Sequence, residues 1–222
     1  MMINFFRETS HFVRRILNTS FNFKFHLLIF VLSFLILTRF NIDPDLGWHL
    51  AIGNHFWQTK EILREDIFSW TMPGFAWGNS YFFYQILVAF LFRNFGWVAS
   101  VLFFGAVAAL AILILLPKKL NLWSMLVVFL GCALALANTG VRPHNLDWPF
   151  LSLLLVLVNE KVFRRKIFIP FWFVFFALWA NIHVGFVFGL MIFIAMIAMD
   201  FALQSQRRRW SQIWVRATAI LV

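Results

Sequence analysis

YFFYQILVAFLF, residues 81–92, is apolar almost without interruption, and Arg93 closes it. The stretch is far too short to cross a bilayer, since a spanning helix needs about 20 apolar residues. Whether it crosses decides which side every later loop faces. If it does, the clusters PKK (117–119), KVFRRK (161–166) and RRR (207–209) all face outside. That would put nine basic residues on the side that membrane proteins keep poor in Lys and Arg. If it lies along the interface instead, those nine join Arg7, Arg14, Arg15 and Lys24 inside. The outside then holds Arg39, Lys60, Arg64, Arg93 and Arg142 against Asp43, Asp45, Glu61, Glu65, Asp66 and Asp147. The positive-inside rule favours this second arrangement, so 81–92 reads as an interfacial or re-entrant helix.

Working outward, the composition supports a membrane setting. The chain is 62% hydrophobic and 20% aromatic, with only 13% charged residues and a mean hydropathy of +0.82. Soluble domains carry about 25% charged residues, so a polytopic membrane protein is the expected class. The net charge of +10 comes from short clusters between apolar runs, not from a basic face interleaved with exposed aromatics, which excludes nucleic-acid binding. The single cysteine, Cys132, rules out an intrachain disulfide.

Candidate spans are Phe21–Thr38, Trp97–Leu116, Leu120–Ala137, Asp147–Val158, Ile167–Ala180 and Val184–Met199, with a further one beginning near Ile213. The expected fold is all-α: a bundle of six to seven spans with a cytoplasmic N-terminus. Residues 39–96 form a long first external loop that carries interfacial helices. No small-residue cleavage site follows the first apolar run, so it reads as an uncleaved anchor. Residues 1–222 read as a single transmembrane domain, the N-terminal portion of a longer, truncated protein, because another apolar segment is starting where the sequence stops.

The unusual polar residues collect on the external side. In DPDLGWH (43–49), Asp43 before Pro44 reads as a helix cap, with proline at the first helical position. Asp45 and His49 are four apart, so they share a helical face, and a carboxylate beside an imidazole suits general-base or phosphate-binding work. In NTGVRPHNLDWP (138–149), Arg142, His144 and Asp147 surround a turn. Asp147 opens a short span, where an ionisable group needs a partner, and an Arg142–Asp147 ion pair is the simplest structural candidate. In WANIHVGF (179–186), Asn181 and His183 interrupt 33 residues without a formal charge, Ile167 to Met199. Gly185 and Gly189, four apart, read as room for close helix contact. Three polar clusters on one face describe a cleft open sideways to lipid and upward to water.

With those residues in place, the chain resembles the GT-C superfamily of membrane glycosyltransferases. It is most similar to the bacterial branch related to protein mannosyltransferases and to aminoarabinose transferases acting on lipid A. In that superfamily an acidic motif follows the first span, as DPDLGWHLAIG does here, and helices lie along the membrane in the same loop. RPHNLDWP is similar to the later motif in which an acidic residue after an arginine opens a span. WANIHVGF and DIFSWTMPGFAWGN resemble segments of uncharacterised bacterial members. The acidic pair is adjacent in the mannosyltransferases and separated by Pro44 here.

The resemblance implies transfer of a sugar from a polyprenyl-phosphate donor to an acceptor on the external face of a bacterial inner membrane. It implies Asp45 as first choice for the base and Asp43 as second, with Asp147 positioning the acceptor or a metal ion. His49, Arg142, His144, Asn181 and His183 would bind substrate, with Arg142, His144 and His183 facing the lipid-linked phosphate. A divalent metal ion is the cofactor it admits. Competing readings are a transporter or flippase of lipid-linked substrates, and a non-catalytic membrane subunit with the same fold.

Overall fold

The structure is a computed structural model that describes residues 23–117 and 120–220. Arg7, Arg14, Arg15, Lys118 and Lys119, on which part of the charge reading rests, lie outside the described residues. The fold is all-α. Among the described residues seven α-helices follow in order: α1 Phe23–Leu37, α2 Leu46–Thr59, α3 Phe82–Leu115, α4 Leu122–Ala135, α5 His144–Asn159, α6 Ile169–Ala180 and α7 Phe186–Ile220. The expected segment near Ile213 is not a separate helix but the continuation of α7. Among the described residues two helices are long and apolar enough to cross a membrane, Phe82–Leu115 and Phe186–Gln204; three shorter apolar ones are Phe23–Leu37, Leu122–Asn138 and Ile169–Ala180.

The stretch at 81–92 becomes the first arm of α3, and Gly96 decides where it goes. Gly96 sits at φ 78° and ψ −175° inside that helix, a conformation essentially closed to residues with a side chain. The chain folds back there. In a straight helix Tyr84 and Phe104 would lie about 30 Å apart. Instead their rings pack with centroids 5.8 Å apart. Tyr84, Val88, Val101, Phe104, Leu46 and Val141 form one buried cluster, so both arms of α3 share a core with α2 and the 138–146 turn. The second arm, from residue 97, covers about 28 Å on its own. Its end reaches Pro117, whose carbonyl lies 3.2 Å from His26 Nε2 at the start of α1. The first arm begins at the opposite end of the bundle, where the Phe83 amide donates to the Asn181 carbonyl at 2.9 Å. Both its ends therefore lie away from Pro117.

The remaining packing follows from local chemistry. Asn121 and Ser124 form a reciprocal capping box that starts α4, with the Ser124 amide 2.8 Å from Asn121 Oδ1. α1, α3, α4 and α5 meet around Leu37, Ala108, Cys132 and Trp148. α5, α6 and α7 meet around Leu154, Trp172, Phe175 and Trp179. Arg164, after α5, donates to Asp200 of α7 through Nε at 2.7 Å, which places the 161–166 loop beside residue 200. The outward surface is strongly apolar: Leu122 is 79% exposed, Phe173 77% and Phe201 74%. Between α2 and α3, residues 64–77 fold into a small antiparallel ribbon in which the Trp77 amide donates to Arg64 at 2.8 Å.

Candidate functional site

At the end of the bundle away from Pro117, the loop after α1, the start of α2, the start of α3, the 138–146 turn and the 181–185 turn meet. They enclose a polar cavity of about 220 Å³, lined by Asp43, Asp45, Trp48, His49, Tyr81, Arg142, Pro143, His144 and His183. The three sequence motifs do converge.

The two aspartates divide their work. Asp43 Oδ2 takes an ion pair from Arg142 Nε at 3.0 Å, and its Oδ1 accepts the Asp45 amide at 3.1 Å. Asp43 is thus an anchor for Arg142 and not the helix cap its proline promised. The cap position falls to Asp45, whose side chain makes no capping bond. Asp45 is exposed, and its carboxylate takes no hydrogen bond or ion pair among the described residues. That leaves Asp45 as the available proton acceptor of the pair.

Asp147 is not Arg142's partner, which corrects the simplest expectation. Both its oxygens turn toward α6 and the 181–185 turn. Trp179 Nε1 donates to Oδ1 at 2.6 Å, and His183 Nδ1 lies in short contact with Oδ2. Asp147 does not line the cavity and reaches it only through His183. The two glycines make this possible. A Cβ at Gly185 would lie 2.2 Å from Asp147 Oδ2, and one at Gly189 would lie 2.2 Å from the Trp179 ring. Close helix contact is what the sequence promised; its purpose is to admit this carboxylate and this indole.

The histidines are held in different ways. His49 is buried, and its Nδ1 lies 3.3 Å from Gln85 Nε2, while Gln85 Oε1 accepts from Asn79 at 2.6 Å. The amide chain fixes the ring, so His49 answers to Gln85 and not to Asp45. Burial pulls its pKa down to about 4, with the nearby Asp45 carboxylate opposing the shift, so it is neutral at physiological pH. His144 Nε2 donates to the Asn138 carbonyl at 2.5 Å, closing the turn. Asn145 Nδ2 donates to Gly140, also at 2.5 Å, and the Tyr84 hydroxyl donates to Val141 at 3.0 Å. Burial raises the Tyr84 pKa, which keeps that donor protonated.

Asn181 does not join the cavity. Its side chain donates to Ala177 at 2.8 Å, and its carbonyl receives the first arm of α3. Sequence reading missed Trp48, Tyr81 and Trp179. Tyr81 was absorbed into an apolar run, although its ring stands 5.6 Å from His183. Trp179 looked like span filler, and its indole N–H was the one signal of a buried acceptor nearby.

A second cavity of about 430 Å³ adjoins the first. It is lined by Trp48, Ile52, Asp66, Phe68, Ser69, Phe75 and Trp77, and Trp48 is common to both. Its wall is largely aromatic and aliphatic, contributed by the ribbon between α2 and α3. Among the described residues no group of three or more His, Cys, Asp or Glu side chains is arranged to hold a metal ion. Asp43 is committed to Arg142 and Asp147 to Trp179 and His183, so these residues do not fit a divalent cation. No protein-family model, curated protein or solved structure matches the chain.

Proposed function

We propose that this protein is an integral, multi-pass membrane glycosyltransferase of the GT-C kind. It transfers a sugar from a polyprenyl-phosphate donor to an acceptor on the external membrane face. The observation that carries the reading is the pair of adjoining cavities. One is polar, with a carboxylate unpaired among the described residues beside Arg142 and three histidines; the other is apolar, and they share the Trp48 wall. An amphiphile with a phosphate head and a hydrocarbon tail matches both. The apolar outer surface and the alternation of apolar helices with basic loops support a multi-pass reading with six spans, the segment near Ile213 being part of α7.

In this reading Asp45 accepts the proton of the attacking hydroxyl as the acceptor oxygen bonds to the anomeric carbon. The bond from that carbon to the donor phosphate oxygen breaks, and its electron pair leaves on the phosphate. Arg142, steered by Asp43, faces the growing negative charge, which is where fixed donors accelerate a reaction most.

The test is transfer from polyprenyl-phosphate sugars by the protein reconstituted in proteoliposomes. Asp45→Asn keeps size and removes the acceptor, so turnover should fall roughly 10²–10⁴-fold, the usual weight of a general base. Full turnover in folded Asp45→Asn protein would remove Asp45 from the mechanism. Movement of the lipid-linked sugar across the bilayer without transfer would replace the enzyme reading with a flippase.

A further inference from the structure

The pairing of Asp147 with His183 has a consequence for the imidazole. Ionised Asp147 can only accept hydrogen bonds, so the His183 nitrogen in short contact with it, Nδ1, carries the hydrogen. The Gly185 amide N–H also points at this nitrogen from 3.2 Å, a longer and weaker contact than the one to the carboxylate, so the carboxylate decides which ring nitrogen carries the hydrogen. The ring's other nitrogen, Nε2, takes no partner among the described residues, and His183 lines the polar cavity. Asp147 is in turn fixed by the Trp179 N–H on Oδ1, in a slot that Gly185 and Gly189 keep open. A carboxylate behind an imidazole, itself held by a third group, is how proteins set which ring nitrogen exchanges protons.

We propose that His183 is the proton donor to the departing phosphate, acting through Nε2, and that Asp147, itself held by Trp179, is the positioning residue that sets its tautomer. The inference rests on reading the cavity as a transfer site. In the protonated ring, Nδ1–H stays on Asp147 while Nε2–H points at the leaving group. As the bond between the anomeric carbon and the phosphate oxygen breaks, that oxygen takes the Nε2 proton and departs as a phosphate monoester. The hydroxyl proton goes to Asp45. The imidazole is left neutral with Nδ1–H in place, and solvent returns its proton while removing the one on Asp45. Arg142 and His144 share the cavity but cannot take this role. Arg142 does not give up a proton at accessible pH, and burial lowers the His144 pKa, disfavouring the imidazolium that would have to donate, while its Nε2 is engaged with Asn138.

The tautomer can be read directly, without any turnover, from two-bond ¹H–¹⁵N correlations of the ring-¹⁵N-histidine protein in detergent micelles. The His183 signals are those that vanish in His183→Gln. In the unaltered protein they should show Nδ1 protonated and Nε2 bare when the ring is neutral. Asp147→Asn should reverse this: Trp179 keeps the amide oxygen, so the amide NH₂ faces Nδ1 and forces the hydrogen onto Nε2. Trp179→Phe combined with Asp147→Asn frees the amide to turn its oxygen back, and the first pattern should return. Trp179→Phe alone should leave the tautomer unchanged, and where Asp147→Asn fails to fold the tautomer of the unaltered protein and its response to decyl phosphate still decide.

Adding decyl phosphate should convert the bare Nε2 to N–H in the unaltered protein. An Nε2–H tautomer in the unaltered protein, or an unchanged tautomer in folded Asp147→Asn, overturns the proposal. So does an Nε2 signal indifferent to decyl phosphate. If these signals behave as expected but no sugar is transferred, the transferase reading fails while the tautomer assignment stands.

Discussion

Asp43 holds Arg142 through Nε, which leaves the guanidinium's terminal nitrogens for the cavity. The pair is partly exposed, so a double-mutant cycle on thermal stability should return a coupling of only about 0.5–1 kcal/mol. Its larger effect belongs to binding. Arg142→Lys keeps the charge but loses the planar fork, and affinity for decyl phosphate, measured by calorimetry, should fall roughly tenfold, the scale of one charge-assisted hydrogen bond. Unchanged affinity would make Arg142 a scaffold residue. His49 makes a pH prediction of its own. Its folded pKa, about 4, lies below the ordinary 6.5, so folding excludes a proton that the unfolded chain binds. Its contribution to stability is complete above pH 6.5 and is lost as pH falls toward 4. The melting temperature in detergent should drop through that window, and His49→Gln should flatten the drop. These positions were legible in the sequence as polar residues in an apolar chain. Their partners were not, because Arg142 could reach either aspartate until the helices were placed.

Among the elements, α3 and α7 depend on glycine for opposite reasons. Gly96 is needed for its backbone, since φ 78° with ψ −175° costs any other residue about 1–3 kcal/mol. Gly185 is needed for its missing side chain, since a Cβ there would strike Asp147. Gly96→Ala should therefore destabilise by that amount through the fold-back of α3. Gly185→Ala should cost about 1–3 kcal/mol of overpacking and also disturb the His183 tautomer. Gly131, within α4 and with open space around its Cβ position, is the control; Gly131→Ala should be neutral or stabilising by up to about 1 kcal/mol. Thermal denaturation of the three variants in one detergent separates these cases. Equal losses in all three would mean that the helices merely resist substitution. The sequence places a glycine at each site, but a glycine within an apolar run looks the same in sequence whether it bends the chain or clears a contact.

Over the whole molecule, the polar cavity and the Arg164–Asp200 pair lie on different parts of the bundle, and the first arm of α3 does not return to the Pro117 end. In the membrane reading, Glu61 is external and Asn159 cytoplasmic. In a Cys132→Ser background, Glu61→Cys should react with an impermeant maleimide on intact cells. Asn159→Cys should react only after the membrane is opened. Labelling of both positions on intact cells would place residues 81–92 across the bilayer, and the reverse pattern would invert the orientation.

That the chain is helical and apolar outside, with its unusual polar groups near three turns, could be read from local stretches of sequence. Those features are local: apolar runs too rich in Phe, Leu and Val to stay in water, basic clusters between them, and Asn–Ser, Asp–Pro and Gly–Val–Arg–Pro turns that stop or start helices. Tertiary structure alone decided which charge meets which. It gave Arg142 to Asp43 and Asp147 to Trp179 and His183, and it made Tyr81 and Trp48 walls of a cavity. An ion pair or a ring contact joins residues far apart in the chain. Its partner is chosen by the angle at which helices pack and by where a glycine lets them close, and neither is written in any one stretch of sequence.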